Sequence, residues 1–370
     1  MHNDALLGLV IAAALAFDFT NGFHDTANVV ASSISTRALP PRTAIAIASL
    51  LNFAGAFISL KVAATIATGI INASQVTTTI AFAALIGAIA WNLLTWLYAL
   101  PSSSSHALIG GVVGAMLAAV GASAIKGQAL VGKVIVPALL SPLIAFVAAG
   151  ASIAIIYWLV RHRRPGVVNR GFRAGQVISG SMLALAHGTN DAQKTMGVMS
   201  LALLANGNLS SQNFHVPTWV VVSAASAIAL GTYAGGWRII RTVGSRIIKM
   251  DTAQGFASQG AGAAVILASS HFGYPLSSTH VISGGIMGAG AAKRFSAVRW
   301  GVAGNIVAAW TLTIPGAGLF AAGAWWLADL LGTGVLGPLV IAILALGGLA
   351  VLGVVHRQRV GAPLATEGRS

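Results

Sequence analysis

The stretch FDFTNGFHDTANVVA, residues 17–31, decides the fold, because it places acids, amides and a histidine inside an otherwise apolar segment. A second version of it, LAHGTNDAQKTMG, begins at Leu185. We call these stretches the first and the second cassette and align them on Gly22 and Gly188. The alignment pairs His24 with Asn190, Asp25 with Asp191, Thr26 with Ala192 and Asn28 with Lys194. One polar cassette is therefore used twice.

The composition indicates a membrane protein. Hydrophobic residues make up 56% of the 370-residue chain and charged residues 8%, whereas soluble domains have roughly 45–50% and about 25%. Apolar runs near the length of about 20 residues that crosses a bilayer recur along the chain. They cover residues 43–60, 77–100, 134–160, 219–236, 302–331 and 335–355. Because backbone groups in lipid must be paired within helices, we predict an all-α polytopic membrane protein with about 10–12 transmembrane segments.

The basic residues indicate the topology. The formal net charge is +14, which in a soluble chain would suggest a nucleic-acid partner, but here the charges lie in short loops between apolar runs. They cluster at Arg37 and Arg42, at 161–173, 238–249 and 293–299, and at Arg357 and Arg359. Cytoplasmic loops carry such an excess of Lys and Arg, and basic loops also contact anionic lipid. We therefore expect no nucleic-acid partner, and a multi-pass protein of the inner (cytoplasmic) membrane.

A second polar element is also duplicated. PSSSSHALIGG begins at Pro101 and PLSSTHVISGG at Pro275, and the two align without a gap. The alignment pairs Ser103 with Ser277, Ser104 with Ser278, Ser105 with Thr279, His106 with His280, Gly110 with Gly284 and Gly114 with Gly288. Glycines four residues apart let helices approach closely. Two copies separated by a basic inside loop, after an odd number of crossings, lie in opposite orientations, which is the inverted-repeat architecture of secondary transporters.

The duplication divides the chain. We assign residues 1–160 to a first transmembrane repeat, 161–174 to a basic cytoplasmic linker, 175–331 to a second, inverted repeat, 332–356 to an extra C-terminal transmembrane helix and 357–370 to a basic tail. Each repeat is expected to contain broken helices and a re-entrant serine-rich hairpin. In the first cassette the helix is expected to break at Asn21 and Gly22, beside a cavity or other protein.

Acidic side chains mark the candidate ion site, because three of the seven acids in the chain lie in apolar segments. An Asp at the bilayer centre costs about 2.5–3.5 kcal/mol on insertion scales, so these residues predict function. A desolvated carboxylate can ligate a hard cation together with amide oxygens or carry a proton. The candidates for the coupling ion or proton are Asp25, Asp191, Asn21, His24, Asn190 and Asp18, with a sodium site formed from Asp25, Asn28 and Asp191 as one form. The alternative is that an Asp caps a restarting half-helix.

The two serine-rich turns suit an anion. Hydroxyls and free N–H groups at a helix start, aided by the positive end of the helix dipole, form a site for tetrahedral oxyanions. Lys194 breaks the symmetry of the cassettes, since it could attract an anion or replace a bound cation. The candidate substrate-binding residues are Ser103, Ser104, Ser105, Ser277, Ser278, Thr279, Asn28, Gln193 and Lys194. The alternative for the serines is plain capping of a transmembrane helix.

These motifs resemble those of a known family. NGFHDTANVVA at Asn21, HGTNDAQKTMG at His187 and the two serine-rich turns are similar to the signatures of the inorganic phosphate transporter family called PiT, and most to its bacterial low-affinity permeases. The resemblance covers residues 17–310 and implies a dimeric symporter that moves phosphate with sodium or protons. It implies that the site is lined by Asp25, Asn28, Asp191, Ser104, Ser105, Ser278 and Thr279.

Two positions depart from the general motif of that family. His24 stands where an Asn is usual, and Gln193 with Lys194 stands where a more symmetric member would have Ala and Asn. Both changes resemble the bacterial branch, in which cotransport with protons or of a neutral metal phosphate is expected. They disfavour a symmetric two-sodium site.

The expected function is secondary active import of inorganic phosphate by alternating access. Another tetrahedral oxyanion, sulfate above all, is the nearest rival, since hydroxyl and N–H donors do not separate the two. A membrane phosphoryl-transfer enzyme is a distant one, because no nucleophile or metal-ligand spacing supports it, and a passive channel would leave the intramembrane carboxylates unexplained. No cofactor is expected beyond the coupling ion, a proton or sodium, and a divalent metal carried with phosphate.

Overall fold

The computed structural model describes residues 3–210, 214–332, 334–345 and 347–348. Apart from one isolated bridge between Ile71 and Ile125, the regular structure of these residues is helical. The helices are α1 (Asp4–Ser35), α2 (Pro41–Gly55), α3 (Lys61–Ala64), α4 (Thr78–Leu97), α5 (Ser104–Ala119), α6 (Gly127–Leu130), α7 (Val136–Val160), α8 (Pro165–Ala205), α9 (Thr218–Ala234), α10 (Trp237–Arg241), α11 (Thr252–Phe272), α12 (Ser278–Lys293), α13 (Trp300–Leu330) and α14 (Leu336–Ala345). The predicted all-α class is confirmed.

The predicted apolar runs coincide with helices. The runs 77–100, 219–236 and 302–331 correspond to α4, α9 and α13. α14 lies within the predicted C-terminal helix, while the part of that helix from residue 349 onward and the 357–370 tail lie outside the described residues. The basic linker is shorter than expected, because α7 ends at Val160 and α8 already begins at Pro165. Proline is favoured at the first position of a helix, so the basic segment continues as α8.

Several helices are suited to a bilayer. Among the described residues, four are long and apolar enough to cross it: α1, α4, the continuous 127–160 segment that ends in α7, and α13. α9 and the 237–246 segment would form a fifth crossing with a 61° bend. α8 and α11 have 41 and 21 residues but are more polar. The chain is a multi-pass membrane protein, and the larger number of 10–12 crossings stays a prediction.

The order of elements repeats between the two halves. Each half has a long helix with a cassette, a shorter helix, a broken segment with a π-helical turn, a further helix, and a helix that starts at a serine-rich turn. α1 and α8 are antiparallel, because Asn3 N donates to Asn206 Oδ1 at 2.9 Å at one end and Thr36 Oγ1 donates to Gln176 Oε1 at 2.6 Å at the other. Inverted copies would have this arrangement, and the inversion itself stays a prediction.

The basic loops gather at one end of the bundle. Arg299 N donates to Ile247 O at 3.0 Å, which joins the basic segments 293–299 and 238–249. The π-helical turn Thr242–Arg246 packs against α1 near Ala31, at the end where α1 meets the basic N-terminal part of α8. This placement agrees with a single cytoplasmic side for these loops.

The predicted break at Asn21 and Gly22 is wrong. α1 runs without interruption from Asp4 to Ser35, and Gly22 lies against α9, where a Cβ would come within 2.3 Å of Ile228 O. The glycine therefore permits a close helix crossing while the backbone keeps its hydrogen bonds. The breaks lie elsewhere, at residues 56–60 between α2 and α3 and at 235–236 between α9 and α10.

The paired glycines of α5 and α12 make the predicted close approaches. A Cβ at Gly114 would lie 2.2 Å from Gly318 O of α13, and one at Gly288 would lie 2.0 Å from Phe146 O of α7. α5 and α12 have 16 residues each, short of the roughly 20 that span a bilayer, as expected for re-entrant hairpins. These crossings hold both serine-rich turns inside the protein.

Candidate functional site

The two serine-rich turns begin their helices in the buried interior. Ser103 Oγ accepts the backbone N–H of His106 at 3.1 Å, and Ser277 Oγ accepts that of His280 at 3.3 Å. These two hydroxyls therefore cap α5 and α12, which is the alternative that the sequence left open for the serines. The other N–H groups and hydroxyls of each first turn lie at the buried start of the helix, where the helix dipole is positive.

Lys194 of the second cassette is the centre of the site. Its ammonium donates to the Asp191 carboxylate, to Ser105 Oγ of the first serine-rich turn and, at 2.7 Å, to Leu276 O of the second. The side chain is 1% exposed. One positive charge thus joins α8 to both turns, in a place where water does not screen it.

Asp191 has a second set of partners. His187 Nε2 lies 3.0 Å from Asp191 Oδ2, and Ser278 Oγ donates to the same oxygen at 3.2 Å. Charge-assisted hydrogen bonds of this kind are stronger than neutral ones. Both carboxylate oxygens of Asp191 therefore face groups of the protein's own.

The first cassette meets the same turn from the opposite side. His24 Nδ1 lies 2.8 Å from Asp25 Oδ1, and Ser278 Oγ lies 3.4 Å from Asp25 Oδ2. Asn28 Nδ2 donates to Thr279 Oγ1 at 2.9 Å. Ser278 therefore stands between the carboxylates of the two cassettes.

Three polar residues that sequence reasoning left out of the site support the two histidines. Asn52 Oδ1 lies 3.2 Å from His187 Nδ1, and Asn52 Nδ2 donates to Thr232 Oγ1 at 2.8 Å. On the other side, Thr95 Oγ1 lies 3.4 Å from His24 Nε2. The signal that could have found these residues is a polar side chain inside an apolar run, as Asn52 is in the run 43–60.

The two sides of the site differ in how a cation could bind. Asn28 Oδ1 is buried and has no hydrogen-bond partner among the described residues, and Asp25 has no cationic lysine beside it as Asp191 has. A cation at Asp191, by contrast, would have to displace the Lys194 ammonium. Ligand atoms of Asp25, His187 and Asp191 do lie within 4.8 Å of one another. The expected sodium set of Asp25, Asn28 and Asp191 stays a prediction.

Some predicted residues lie apart from this cluster. Gln193 Oε1 accepts the backbone N–H groups of Val62 and Ala63 at 2.8 and 3.3 Å, so Gln193 caps the start of α3 after the break. Asn190 donates to Ser270 Oγ at 2.9 Å.

Asp18, Asn21 and Ser104 are buried, but their site atoms are not bonded to the cluster. The Asp18 carboxylate oxygens, Asn21 Oδ1 and Ser104 Oγ have no hydrogen-bond partner among the described residues. The structure therefore brings together Asp25, Asn28, Asp191, Lys194, Ser105, Ser278 and Thr279.

This arrangement is suited to an oxyanion. It offers an ammonium, hydroxyls and two helix starts in a desolvated space, which are the donors that a tetrahedral anion requires. Residues 21–321 match the model of the phosphate transporter family. The chain belongs to that family.

Similar proteins share this family's name. A "probable low-affinity inorganic phosphate transporter" from Mycobacterium tuberculosis (strain ATCC 25618 / H37Rv) is 52% identical over 327 residues, covering 88% of this chain and 78% of the relative. One from Bacillus subtilis (strain 168) is 43% identical over 309 residues, covering 83% and 92%. A solved structure described as "the sodium-dependent phosphate transporter" has a TM-score of 0.78 at 24% identity, covers 88% of this chain and 99% of that one, and shows the shared fold. This phosphate transporter is thus not an enzyme.

Proposed function

We propose that this phosphate transporter is a symporter that imports inorganic phosphate across the cytoplasmic membrane by alternating access, driven by an inward proton gradient. The observation that supports this best is the position of Lys194, which donates to Asp191 and to both serine-rich turns. A phosphate that replaced Asp191 as a partner of the ammonium would lie at two helix starts.

The proposed phosphate ligands are Lys194, Asn28 and the turn residues Ser104, Ser105, Ser278 and Thr279. Ser104 Oγ and Asn28 Oδ1 have no partner within the described part of the chain, so both are available to a ligand that carries hydrogens as well as oxygens. Phosphate keeps a proton near neutral pH that an acceptor can bind, and sulfate does not. Asn28 Oδ1 and the Asp25 carboxylate are the acceptors that would separate the two anions.

The charges of the site support coupling to a cation, which we propose to be a proton. Moving an anion to the bilayer centre is costly, and a co-transported positive charge lowers that cost. Lys194 occupies the place beside Asp191 that a sodium ion would need, so this half of the site is supplied with a positive charge by the protein. The alternative cargo is a neutral complex of phosphate with a divalent metal, for which Asp25, His187 and Asp191 hold ligand atoms within 4.8 Å of one another.

Two further features belong to the proposal. The basic loops at one end of the bundle favour the cytoplasmic membrane and contact with anionic lipid. A homodimer is proposed from the family resemblance.

The test is uptake of radiolabelled phosphate by the purified protein in proteoliposomes. A proton gradient directed inward, without sodium, should drive accumulation of phosphate. Sulfate added at the same concentration as phosphate should leave phosphate uptake within about twofold of its value without sulfate. Asp191→Asn should lower uptake at least tenfold, because it removes the partner that positions Lys194, while Asp329→Asn, an exposed acid on α13, should leave it unchanged.

Each part of the proposal can fail separately. A strict sodium requirement at constant pH would contradict proton coupling. Inhibition by sulfate at stoichiometric levels would contradict phosphate selectivity, and full uptake by Asp191→Asn would contradict the role of the Lys194 cluster.

A further inference from the structure

Asp18 is a buried acid that the phosphate site does not use. It lies on α1 about two helical turns before Asp25, and its side chain is 0% exposed. Among the described residues no cationic side chain forms an ion pair with its carboxylate. An ionised carboxylate without a cation in such a place is costly, so a proton or a cation stabilises the group.

The polar side chains that face Asp18 are Asn21 and Thr195. Asn21 Oδ1 and Thr195 Oγ1 are buried as well, and neither atom has a hydrogen-bond partner in the described structure. Three side chains from α1 and α8 therefore meet here, and the donors that face the carboxylate are the Thr195 hydroxyl and the Asn21 amide. Both donors are neutral, so a negative charge on Asp18 has no cation bonded to it among the described residues.

The charged groups that act on Asp18 come from α8. Asp191 repels a negative charge on Asp18, and Lys194 attracts it. Phe17 and Ala14 of α1 and Met196 of α8 belong to one hydrophobic cluster. Asp18 is therefore coupled by charge to the phosphate site but has no direct bond to it.

A proton fits this space better than a metal ion. The single carboxylate would leave a divalent cation with one charge in excess, whereas one proton neutralises it. A protonated Asp18, by contrast, could donate its one hydrogen to Asn21 Oδ1 and accept the hydroxyl hydrogen of Thr195 on its other oxygen. All four oxygens would then take part in hydrogen bonds, and no net charge would be buried.

We propose that Asp18, with Asn21 and Thr195, is the binding site of the coupling proton, separate from the phosphate site. The inference rests on the proposed function. The Asp18 carboxylate binds one proton from the outer solution to become the neutral acid, and the acid releases that proton to the cytoplasm.

The link to phosphate passes through Lys194. When phosphate binds the ammonium, an added negative charge offsets the attraction of Lys194 for ionised Asp18, so the carboxylate binds a proton more readily. By linkage, protonation of Asp18 strengthens phosphate binding by the same factor. The two solutes then enter together although they share no ligand.

Two assays on reconstituted protein separate this role from phosphate binding. Asp18→Asn keeps the size of the side chain but cannot exchange a proton. We expect phosphate exchange at equal concentration and pH on both sides to stay within about twofold of wild type, while accumulation driven by a pH gradient falls at least tenfold. Asp4→Asn, an exposed acid at the start of the same helix, is the matched control and should leave both assays unchanged.

A second variant and a second measurement guard against a folding defect. Asp18→Glu should retain accumulation, because it keeps the exchangeable proton. In detergent with a pH indicator, wild-type protein should take up a proton when inorganic phosphate is added, and Asp18→Asn should not.

The outcomes are distinct. Accumulation at the wild-type level in Asp18→Asn would overturn the proposal, and so would loss of exchange together with accumulation, since that result would place Asp18 in the phosphate site. Accumulation driven by a sodium gradient in wild type and lost in Asp18→Asn would assign the site to sodium instead. If wild type exchanges no phosphate, the proposed function fails rather than the role of Asp18.

Discussion

The two cassettes have the same position in their helices but different electrostatics. In the second cassette Lys194 donates to Asp191 and to both serine-rich turns, whereas its counterpart Asn28 makes neutral bonds to Thr279 and Ser278. One half of the protein therefore supplies an amine that bonds to both turns, and the other supplies an acceptor atom without a partner among the described residues. The same backbone arrangement thus carries different chemistry in its two halves.

The two halves share their close helix crossings. A Cβ at Gly55 would lie 2.2 Å from Leu185 O, and one at Gly231 would lie 2.1 Å from Phe19 O. α2 thus crosses α8 as closely as α9 crosses α1. Glycine fixes these crossings in both halves, while the polar side chains differ.

The largest expected effect on the free energy of unfolding comes from removing the Lys194 amine. Lys194→Met should lower the free energy of unfolding by about 3–5 kcal/mol, because Asp191 is left buried without its cation. Asn28→Leu should cost about 1–3 kcal/mol, since it leaves only hydroxyl groups without a partner. Unfolding of each variant in mixed micelles measures both values.

A double variant sharpens this test. Lys194→Met combined with Asp191→Leu should recover part of the loss, because no buried charge then remains unpaired. Equal costs for Lys194→Met and Asn28→Leu would show that the two cassettes are not electrostatically different.

An intermediate effect is expected at the shared crossings. Gly55→Ala and Gly231→Ala should each destabilise the protein by about 1–3 kcal/mol, because the added methyl group forces two helices apart. Gly8, also on α1, has open space around it, so Gly8→Ala should be neutral or should stabilise α1 by about 0.5–1 kcal/mol. Thermal unfolding in detergent would reveal unequal costs at Gly55 and Gly231 if the two halves were not built alike.

The smallest effect is expected at the caps of α4 and α11. Thr77 Oγ1 accepts Ile80 N in the first half, and Asp251 accepts Gln254 N in the second. Burial alone would raise the pKa of Asp251, but hydrogen bonds from Tyr157, from the Gln254 backbone and from Lys293 together hold this pKa below its usual range. The carboxylate is therefore the stabilising form.

The lowered pKa of Asp251 determines how its contribution to stability depends on pH. The contribution of Asp251 is present above its unfolded pKa of about 3.9 and is lost as the pH falls through the lower folded value. Asp251→Thr should cost about 0.5–1 kcal/mol at pH 7, since the group is partly exposed, and this cost should shrink below about pH 4. The free energy of unfolding of wild type and Asp251→Thr, measured as a function of pH, tests this prediction. A difference between them that does not change with pH would assign the loss of stability to capping alone.

Much of the fold could be predicted from the sequence, because its signals are local. Apolar runs locate α4, α9 and α13 within a few residues, and the alignment of Gly22 with Gly188 identifies the duplicated helices. The candidate site could be predicted for the same reason, since acids and a lysine in apolar segments are rare.

Long-range contacts explain what could not be predicted. Gly22 was interpreted as a breaker because its neighbour Ile228 on α9 is invisible in the local sequence. Gln193 is predicted to bind substrate because it lies within the second cassette, whereas its bonds from the N–H groups of Val62 and Ala63 depend on the break at residues 56–60. Asn52 is a polar residue inside the apolar run 43–60, but its bond to His187 depends on how α2 crosses α8.

The Ser278 hydroxyl faces two carboxylates. Its oxygen is 3.4 Å from Asp25 Oδ2 and 3.2 Å from Asp191 Oδ2, but a hydroxyl carries a single hydrogen. It can stabilise one carboxylate at a time, so at any instant one of the two acids has one donor fewer than the other. A rotation about one side-chain bond exchanges them. A protein with near-equal halves therefore contains, at its centre, an element with two alternative states that need no movement of the backbone.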